Sequence, residues 1–143
     1  MKVVVVSCHL DPLHRGHVEH MRLAAKLGDC LIVIIGSDEQ ILRKYGNILQ
    51  PLYRRVERLI RKAPFIVGVV VSIDKDSTQV ETLRLIKPDI FAKGGDRTID
   101  NMPKSEIDVC REIGCKIIYG VGDKINSSTA IRNRISRFRN SAK

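Results

Sequence analysis

The sequence predicts a doubly wound α/β domain: five mainly parallel strands with helices on both faces. Three observations predict it. Apolar, β-branched runs such as Lys2-Val-Val-Val-Val-Ser7 recur along the chain and read as strands buried on both sides. Helix-like stretches separate them. Glycine and proline mark the ends of most elements. The 143 residues fit a single domain, 1–143, with enough chain to bury a core.

The elements follow in order. Residues 2–7 are a first strand, and 8–14 a loop containing Asp11-Pro12. Residues 15–27 form a helix with Val18, Met21, Ala25 and Leu27 on its apolar side, stopped by Gly28. Residues 31–35 are a second strand and 38–44 a short helix, with a loop at 45–50. Pro51 suits the first turn of a helix reaching Lys62, which Pro64 ends. Residues 65–71 are a third strand. Residues 77–87 are a helix entered through Ser77-Thr78 and closed by Pro88. Residues 90–92 are a fourth strand, 103–113 a helix and 116–119 a fifth strand. A last helix starts near Ser127-Ser128-Thr129 and runs to about Arg139. Right-handed crossovers make this a Rossmann-like fold, whose ligands bind beyond the carboxyl ends of the strands. Four loops converge there: 8–17, 36–47, 93–101 and 120–129.

Composition narrows the function. Hydrophobic residues make up 43% and charged residues 29%, which excludes disordered and fibrous chains. No apolar run approaches the roughly 18 residues of a membrane span, so no membrane partner is expected and a cytoplasmic location is the default. Cysteines at 8, 30, 110 and 115 lack zinc-knuckle or redox spacing and read as free thiols. The net charge of +9 is concentrated: residues 42–62 and 124–143 each carry a net +6. Such segments attract polyanions. Nucleic acid is disfavoured as the partner, because aromatics are only 4% and no helix-turn-helix or zinc signature appears. P-loop and dinucleotide-binding glycine motifs are missing as well.

All four histidines, at 9, 14, 17 and 20, fall within twelve residues. His14-Arg15-Gly16-His17 sets two imidazoles three residues apart at a helix N-terminus, on one side. Gly16 leaves room for a ligand near the backbone, and the helix end favours anions. A phosphoryl group suits that place. A metal bound by His14, His17 and His20 is a competing reading, but no acid or cysteine completes its ligand set.

Asp11-Pro12-Leu13-His14-Arg15-Gly16-His17, directly after the first strand, resembles the cytidylyltransferase-like nucleotidyltransferases, whose first loop ends Phe-Asp-x-x-His-x-Gly-His. The resemblance covers nearly the whole chain. It extends to Leu27-Gly28-Asp29, Ser37-Asp38, Pro51 with Arg55, Lys87-Pro88-Asp89 and Asn126-Ser127-Ser128-Thr129-x-x-Arg132. Lys93-Gly94-Gly95-Asp96 is most similar to the heptose-1-phosphate adenylyltransferases of the family.

The resemblance implies transfer of a nucleoside monophosphate, AMP from ATP first and CMP from CTP second, onto a phosphorylated small molecule such as a sugar phosphate. Pyrophosphate leaves. FAD synthase and glycerol-3-phosphate cytidylyltransferase activities are the alternatives. A nucleotide-binding protein without turnover is a further one. His14, His17 and Lys44 would be catalytic. Cys8, His9, Gly16, Lys93, Gly95, Asp96, Ser127, Ser128, Thr129 and Arg132 would bind the nucleotide. Asp11, Arg55 and Arg97 would face the acceptor. Mg2+ would arrive with the triphosphate, with no protein metal cage, and a homodimer is common in the family. Cys8-His9 stands where the family usually has Gly-Thr or Gly-Val, and Arg97 stands where an aromatic residue or Gln is frequent. Arginine there implies a more anionic or less planar acceptor.

Overall fold

Among the described residues ten elements follow in order: β1 (Val3–Cys8), α1 (Arg15–Ala25), β2 (Cys30–Ile35), α2 (Asp38–Tyr45), α3 (Leu52–Lys62), β3 (Gly68–Val71), α4 (Val80–Ile86), β4 (Ile90–Ala92), α5 (Lys104–Ile113) and β5 (Lys116–Ile118). The computed structural model describes residues 1–122 together with Arg132 and Ile135. Ser127, Ser128 and Thr129 and the rest of the expected last helix lie outside the described residues.

The strands form one parallel sheet in the order β3-β2-β1-β4-β5. The chain runs outward from β1 to β3, then crosses back to place β4 on the other side of β1. That reversal opens a crevice beyond the carboxyl ends of β1 and β4. β1 is paired along its whole length with β2, from Val3 opposite Cys30 to Cys8 opposite Ile35.

Successive side chains of a strand point to opposite faces, so β1 supplies two cores. Val4 and Val6 pack with Leu10, Met21, Ala24 and Leu59 beneath α1 and α3. Val5 packs with Ile34, Leu83, Phe91, Val109 and Cys110 beneath α4 and α5. An uninterrupted valine run is what a strand covered on both faces requires. The four cysteines are free thiols. No helix among the described residues is long and apolar enough to cross a membrane.

Two elements differ from the sequence reading. The third strand is Gly68–Val71 rather than 65–71. After Pro64 the chain turns, with Ile66 N–H donating to Ala63 O, and contact with β2 begins only at Val67 N–H, 2.8 Å from Leu31 O. Phe65 and Ile66 pack on the core from that turn. The fourth helix starts at Val80 rather than at Ser77. Its first amides are satisfied from upstream: Asp74 accepts from Glu81 N–H (2.8 Å), Thr82 N–H (3.0 Å) and Thr82 Oγ1 (2.6 Å). Asp76 meanwhile accepts from Thr78 N–H and Oγ1 in a local turn.

Asp74 is therefore the cap of α4, and it is buried. Its replacement by alanine leaves those amides without an acceptor and should cost about 2 kcal/mol. Urea denaturation of Asp74→Ala measures this. Thr78→Ala, which removes the exposed hydroxyl bond to Asp76 and a long 3.4 Å acceptor for Val80 N–H, should lose far less.

Candidate active site

The crevice is built first by the loop after β1. Leu10 takes a left-handed backbone (φ 59°) and its side chain is fully buried, which turns the chain sharply toward α1. His14 is the N-cap of α1, in extended conformation. Its Nδ1 accepts from Gly16 N–H at 3.1 Å. The Nδ1 of His17 accepts in turn from His14 N–H at 3.2 Å. Two imidazoles thus take the places that a hydroxyl and a carboxamide take in an ordinary capping box. Their rings stack, centroids 3.7 Å apart and 21° from parallel.

This geometry sets their protonation. An Nδ1 that accepts a backbone N–H carries no proton, so the proton of each neutral ring sits on Nε2. Burial pushes the His17 pKa down to about 3, with the neighbouring His14, His20 and His9 adding to it. Burial lowers His14 as well. Near neutral pH the pair is two uncharged rings, each with an Nε2–H to donate. His20, one turn further along α1, hydrogen-bonds through Nδ1 to Val121 O at 2.7 Å. Burial lowers its pKa too.

Cys8 and His9 form the floor behind the pair. Burial pushes the Cys8 thiol up to about 12, so it stays protonated and is no nucleophile. The His9 ring lies against Gly36, where a Cβ would come 2.2 Å from Nδ1. It meets Tyr45 edge-on, centroids 6.3 Å apart. Burial, then Lys44, Arg55 and Arg132, push His9 down to about 4. Its Nδ1 is buried with no hydrogen-bond partner among the described residues. Gly36 is thus a residue the sequence reading passed over. Its only signal was its place at the end of β2.

Three expected ligand contacts meet a different geometry. Asp11 is fully buried. Its carboxylate accepts from Leu49 N–H (2.8 Å) and Gln50 N–H (2.7 Å) and pairs with Arg132. It fastens the 45–50 loop and does not face an acceptor. Arg132 donates through Nε to Asp11 O (3.0 Å) and through Nη1 to Asn47 Oδ1 (2.8 Å), and its guanidinium lies 4.2 Å from the Tyr45 ring centre. Its donors are spent on protein rather than on a phosphate. Arg55 is fully buried, with Nη1 on His9 O and Gly36 O (2.7 Å each), Nε on Gln50 O (3.1 Å) and Nη2 on Asp38 Oδ1 (2.6 Å). A guanidinium so enclosed ties β1, β2 and α3 together and offers nothing to an acceptor. Asn47 and Tyr45, which the sequence reading did not single out, complete this scaffold.

The remaining residues line the rim. Lys44 is exposed at the end of α2, its Nζ 5.2 Å from the Tyr45 ring centre. Gly16 gives its N–H to His14 at the start of α1. Lys93, just after β4, is largely buried, its Nζ 4.4 Å from the Phe91 ring centre and 4.0 Å from Glu106. Burial lowers its pKa, opposed by the Glu106 carboxylate. Gly95, Asp96 and Arg97 are exposed. Asn101 holds their loop, donating to Asp96 O and accepting from Thr98 N–H and, at its carbonyl, from Arg97 Nη1. Beside His14 a groove of about 1020 Å³ runs along α1, its cations Arg15, Arg22, Arg58 and Lys62 set against Glu19. No group of three His, Cys, Asp or Glu among the described residues is arranged to hold a metal ion.

Comparison with known proteins agrees with this architecture. The family model described as cytidylyltransferase-like matches residues 9–134. The chain belongs to the cytidylyltransferase-like family. It is 32% identical to the D-beta-D-heptose 1-phosphate adenylyltransferase of Bordetella bronchiseptica, over 87% of this chain and 76% of that protein. It is 33% identical to the bifunctional protein HldE of Nitratiruptor sp. over 94% of this chain, yet spans only 28% of that protein's length. The FAD synthase of Pyrococcus abyssi is 33% identical over 80% of this chain and 75% of its own. Among solved structures, the lipopolysaccharide core biosynthesis protein of Thermoplasma volcanium superposes with a TM-score of 0.68 at 25% identity, over 85% of this chain and 98% of that one. Membership in the cytidylyltransferase-like family accounts for the parallel sheet with its flanking helices.

The depressed histidines give a pH prediction. Their folded pKa values lie below the ordinary value of about 6.5, so the unfolded chain binds more protons on acidification. Their stability contribution is complete above about pH 6.5 and is lost progressively as pH falls toward 4 and 3. Chemical denaturation at pH 7, 5.5 and 4.5 should show stability falling. The fall should be shallower in His17→Gln, and equal slopes in the two proteins would contradict it.

Proposed function

We propose that the chain is a nucleotidyltransferase. It moves a nucleoside monophosphate, AMP from ATP in the first instance, onto a phosphorylated small molecule such as a sugar phosphate. The observation that carries this reading is the stacked His14–His17 pair, two neutral Nε2–H donors held at a helix N-terminus. Heptose 1-phosphate adenylyltransferase and HldE relatives support the substrate class.

The chemistry is in-line transfer. A phosphate oxygen of the acceptor attacks the α-phosphorus, the bond to the β-phosphate bridge breaks, and pyrophosphate leaves. The acceptor supplies the nucleophile, so no side chain needs to. The histidines donate to the α-phosphate oxygens as charge shifts across the phosphorus. Neutral donors suit this role, because their protons stay in place throughout the pH range in which the phosphates are ionised. The helix end orients the phosphate, and Lys44 and the basic groove raise the local concentration of anionic substrates. Lys93, Gly95 and Asp96 are assigned to the nucleoside, and Ser127, Ser128 and Thr129 to the β- and γ-phosphates. Magnesium belongs to the triphosphate as substrate, where it neutralises the leaving group.

A second reading, FMN as acceptor, is favoured by the likeness to the Pyrococcus FAD synthase. The test is pyrophosphate release with ATP or CTP crossed with heptose 1-phosphate, glycerol 3-phosphate and FMN. Activity with ATP and a sugar phosphate is expected, and His17→Gln should lower kcat/KM by about 100-fold or more. Near-normal turnover in His17→Gln would overturn the assigned role.

A further inference from the structure

Lys93 carries a cation beside the crevice on which no protein acceptor closes among the described residues. It is the first residue beyond β4, and its N–H donates to Ile118 O of β5 at 2.8 Å. We infer that its ammonium group receives a substrate phosphate, and that Glu106 of α5 is the positioning residue that holds it there. The inference rests on the transferase reading and refines it at Lys93, which that reading assigns to the nucleoside.

Alternation along β4 decides where the side chain goes. Phe91 packs beneath α4 and α5 and Ala92 beneath α1 and α3, so Lys93 returns to the Phe91 side. Its Nζ lies 4.4 Å from the Phe91 ring centre, and only 11% of the side chain is exposed. An ammonium so placed needs an anion and hydrogen-bond acceptors. Glu106, itself buried, supplies the anion, but its Oε1 stays 4.0 Å from Nζ. A closed, hydrogen-bonded pair would lie at about 2.7–2.9 Å. Oε1 is enclosed and has no hydrogen-bond partner among the described residues. The two groups face each other without closing, and the ammonium keeps its donors for a ligand. Packing alone explains the other oxygen: Oε2 accepts from Gln79 N–H at 2.9 Å and ties α5 to the start of α4. It does not explain why Oε1 is turned toward a lysine at the end of β4.

Glu106 also sets the charge of the lysine. Burial lowers the Lys93 pKa, the Glu106 carboxylate raises it, and Arg97 in the loop after β4 lowers it again. Cys8 of β1 and Cys110 of α5 face the same ammonium, and the Cys8 thiol stays protonated. On α1, His20 feels both Lys93 and Asp96, and burial keeps it neutral near pH 7. Asp74 faces Glu106, but its carboxylate is bound by the amides of α4. Without the Glu106 charge, burial and Arg97 act on the lysine unopposed, so it loses its proton at a lower pH. A neutral amine has no charge to offer a phosphate. The carboxylate therefore keeps a largely buried lysine cationic at the pH of the reaction.

Three variants test this: Lys93→Met, Glu106→Gln and the two together. Glutamine keeps an oxygen for Gln79 N–H and removes only the charge. Lys93→Met should lower kcat/KM about 100-fold. Glu106→Gln should lower it about tenfold at pH 8 and move the alkaline fall of kcat/KM down by about one pH unit. Added to Lys93→Met, the same substitution should cost about twofold at most, because no lysine is left to hold. The substrate whose KM rises more in Lys93→Met, triphosphate or acceptor, is the one whose phosphate the lysine receives. Equal losses from Glu106→Gln in both backgrounds would mark a structural role and overturn the inference. So would an unmoved alkaline limb, or normal KM values for both substrates in Lys93→Met. If the parent protein releases no pyrophosphate with any acceptor, calorimetric binding of ATP with magnesium and of glycerol 3-phosphate replaces KM. Weaker binding of either in Lys93→Met, with the same non-additivity, upholds the inference while the transferase reading falls. A parent that binds neither defeats both.

Discussion

Two backbone amides at the start of α1 determine what the crevice can do. A helix N-terminus leaves its first N–H groups without internal partners. Aspartate would satisfy them with oxygen and keep only acceptors to spare, which repel a phosphate. Here imidazoles do it, through Gly16 N–H to His14 and His14 N–H to His17. Each ring spends one nitrogen on the fold and keeps the other for a ligand. Capping, tautomer, neutral charge and stacking all follow from that pair of bonds. The valines of β1 and the turn at Leu10 place the helix end at the sheet's reversal point, where the crevice opens.

Behind the pair stands a scaffold of enclosed charge. Arg55 binds three backbone carbonyls and Asp38, and Arg132 binds Asp11 and Asn47. Buried guanidinium groups are tolerated because each of their nitrogens donates to an acceptor. Removing one partner would strand the other in a site shut off from water. The large positive charge of the chain is thus not all surface field. Part of it is internal mortar that fixes the 45–50 loop against β1 and β2, and part remains outside, on Lys44 and along the groove beside α1, to draw anions.

Much of this was legible in the sequence. The valine and isoleucine runs and their glycine and proline stops mark the strands and most helices to within a few residues. The exceptions have physical causes. Phe65 and Ile66 are as apolar as a strand, yet Pro64 and the Ile66–Ala63 turn hold them off the ladder. Ser77-Thr78 has the composition of a cap, but the carboxylate that caps α4 is Asp74, whose reach depends on how the loop folds back. The His14–His17 spacing announced two rings on one side of a helix, because periodicity alone decides that. Nothing local announced the scaffold. Asp11 meets partners 38, 39 and 121 residues away. A lone arginine on a helix reads equally well as solvated surface or as a phosphate ligand until its neighbours are known. His9 against Gly36 and His20 against Val121 are likewise contacts between distant segments.

The central claim is that His14 and His17 are neutral, with their protons on Nε2. Nitrogen NMR of the imidazole rings at pH 7, assigned through single-histidine variants, tests it most directly. The account predicts unprotonated Nδ1 and protonated Nε2 in His14 and His17, and the reverse tautomer in His20. A cationic ring at either position of the pair, or a proton on either Nδ1, would contradict it.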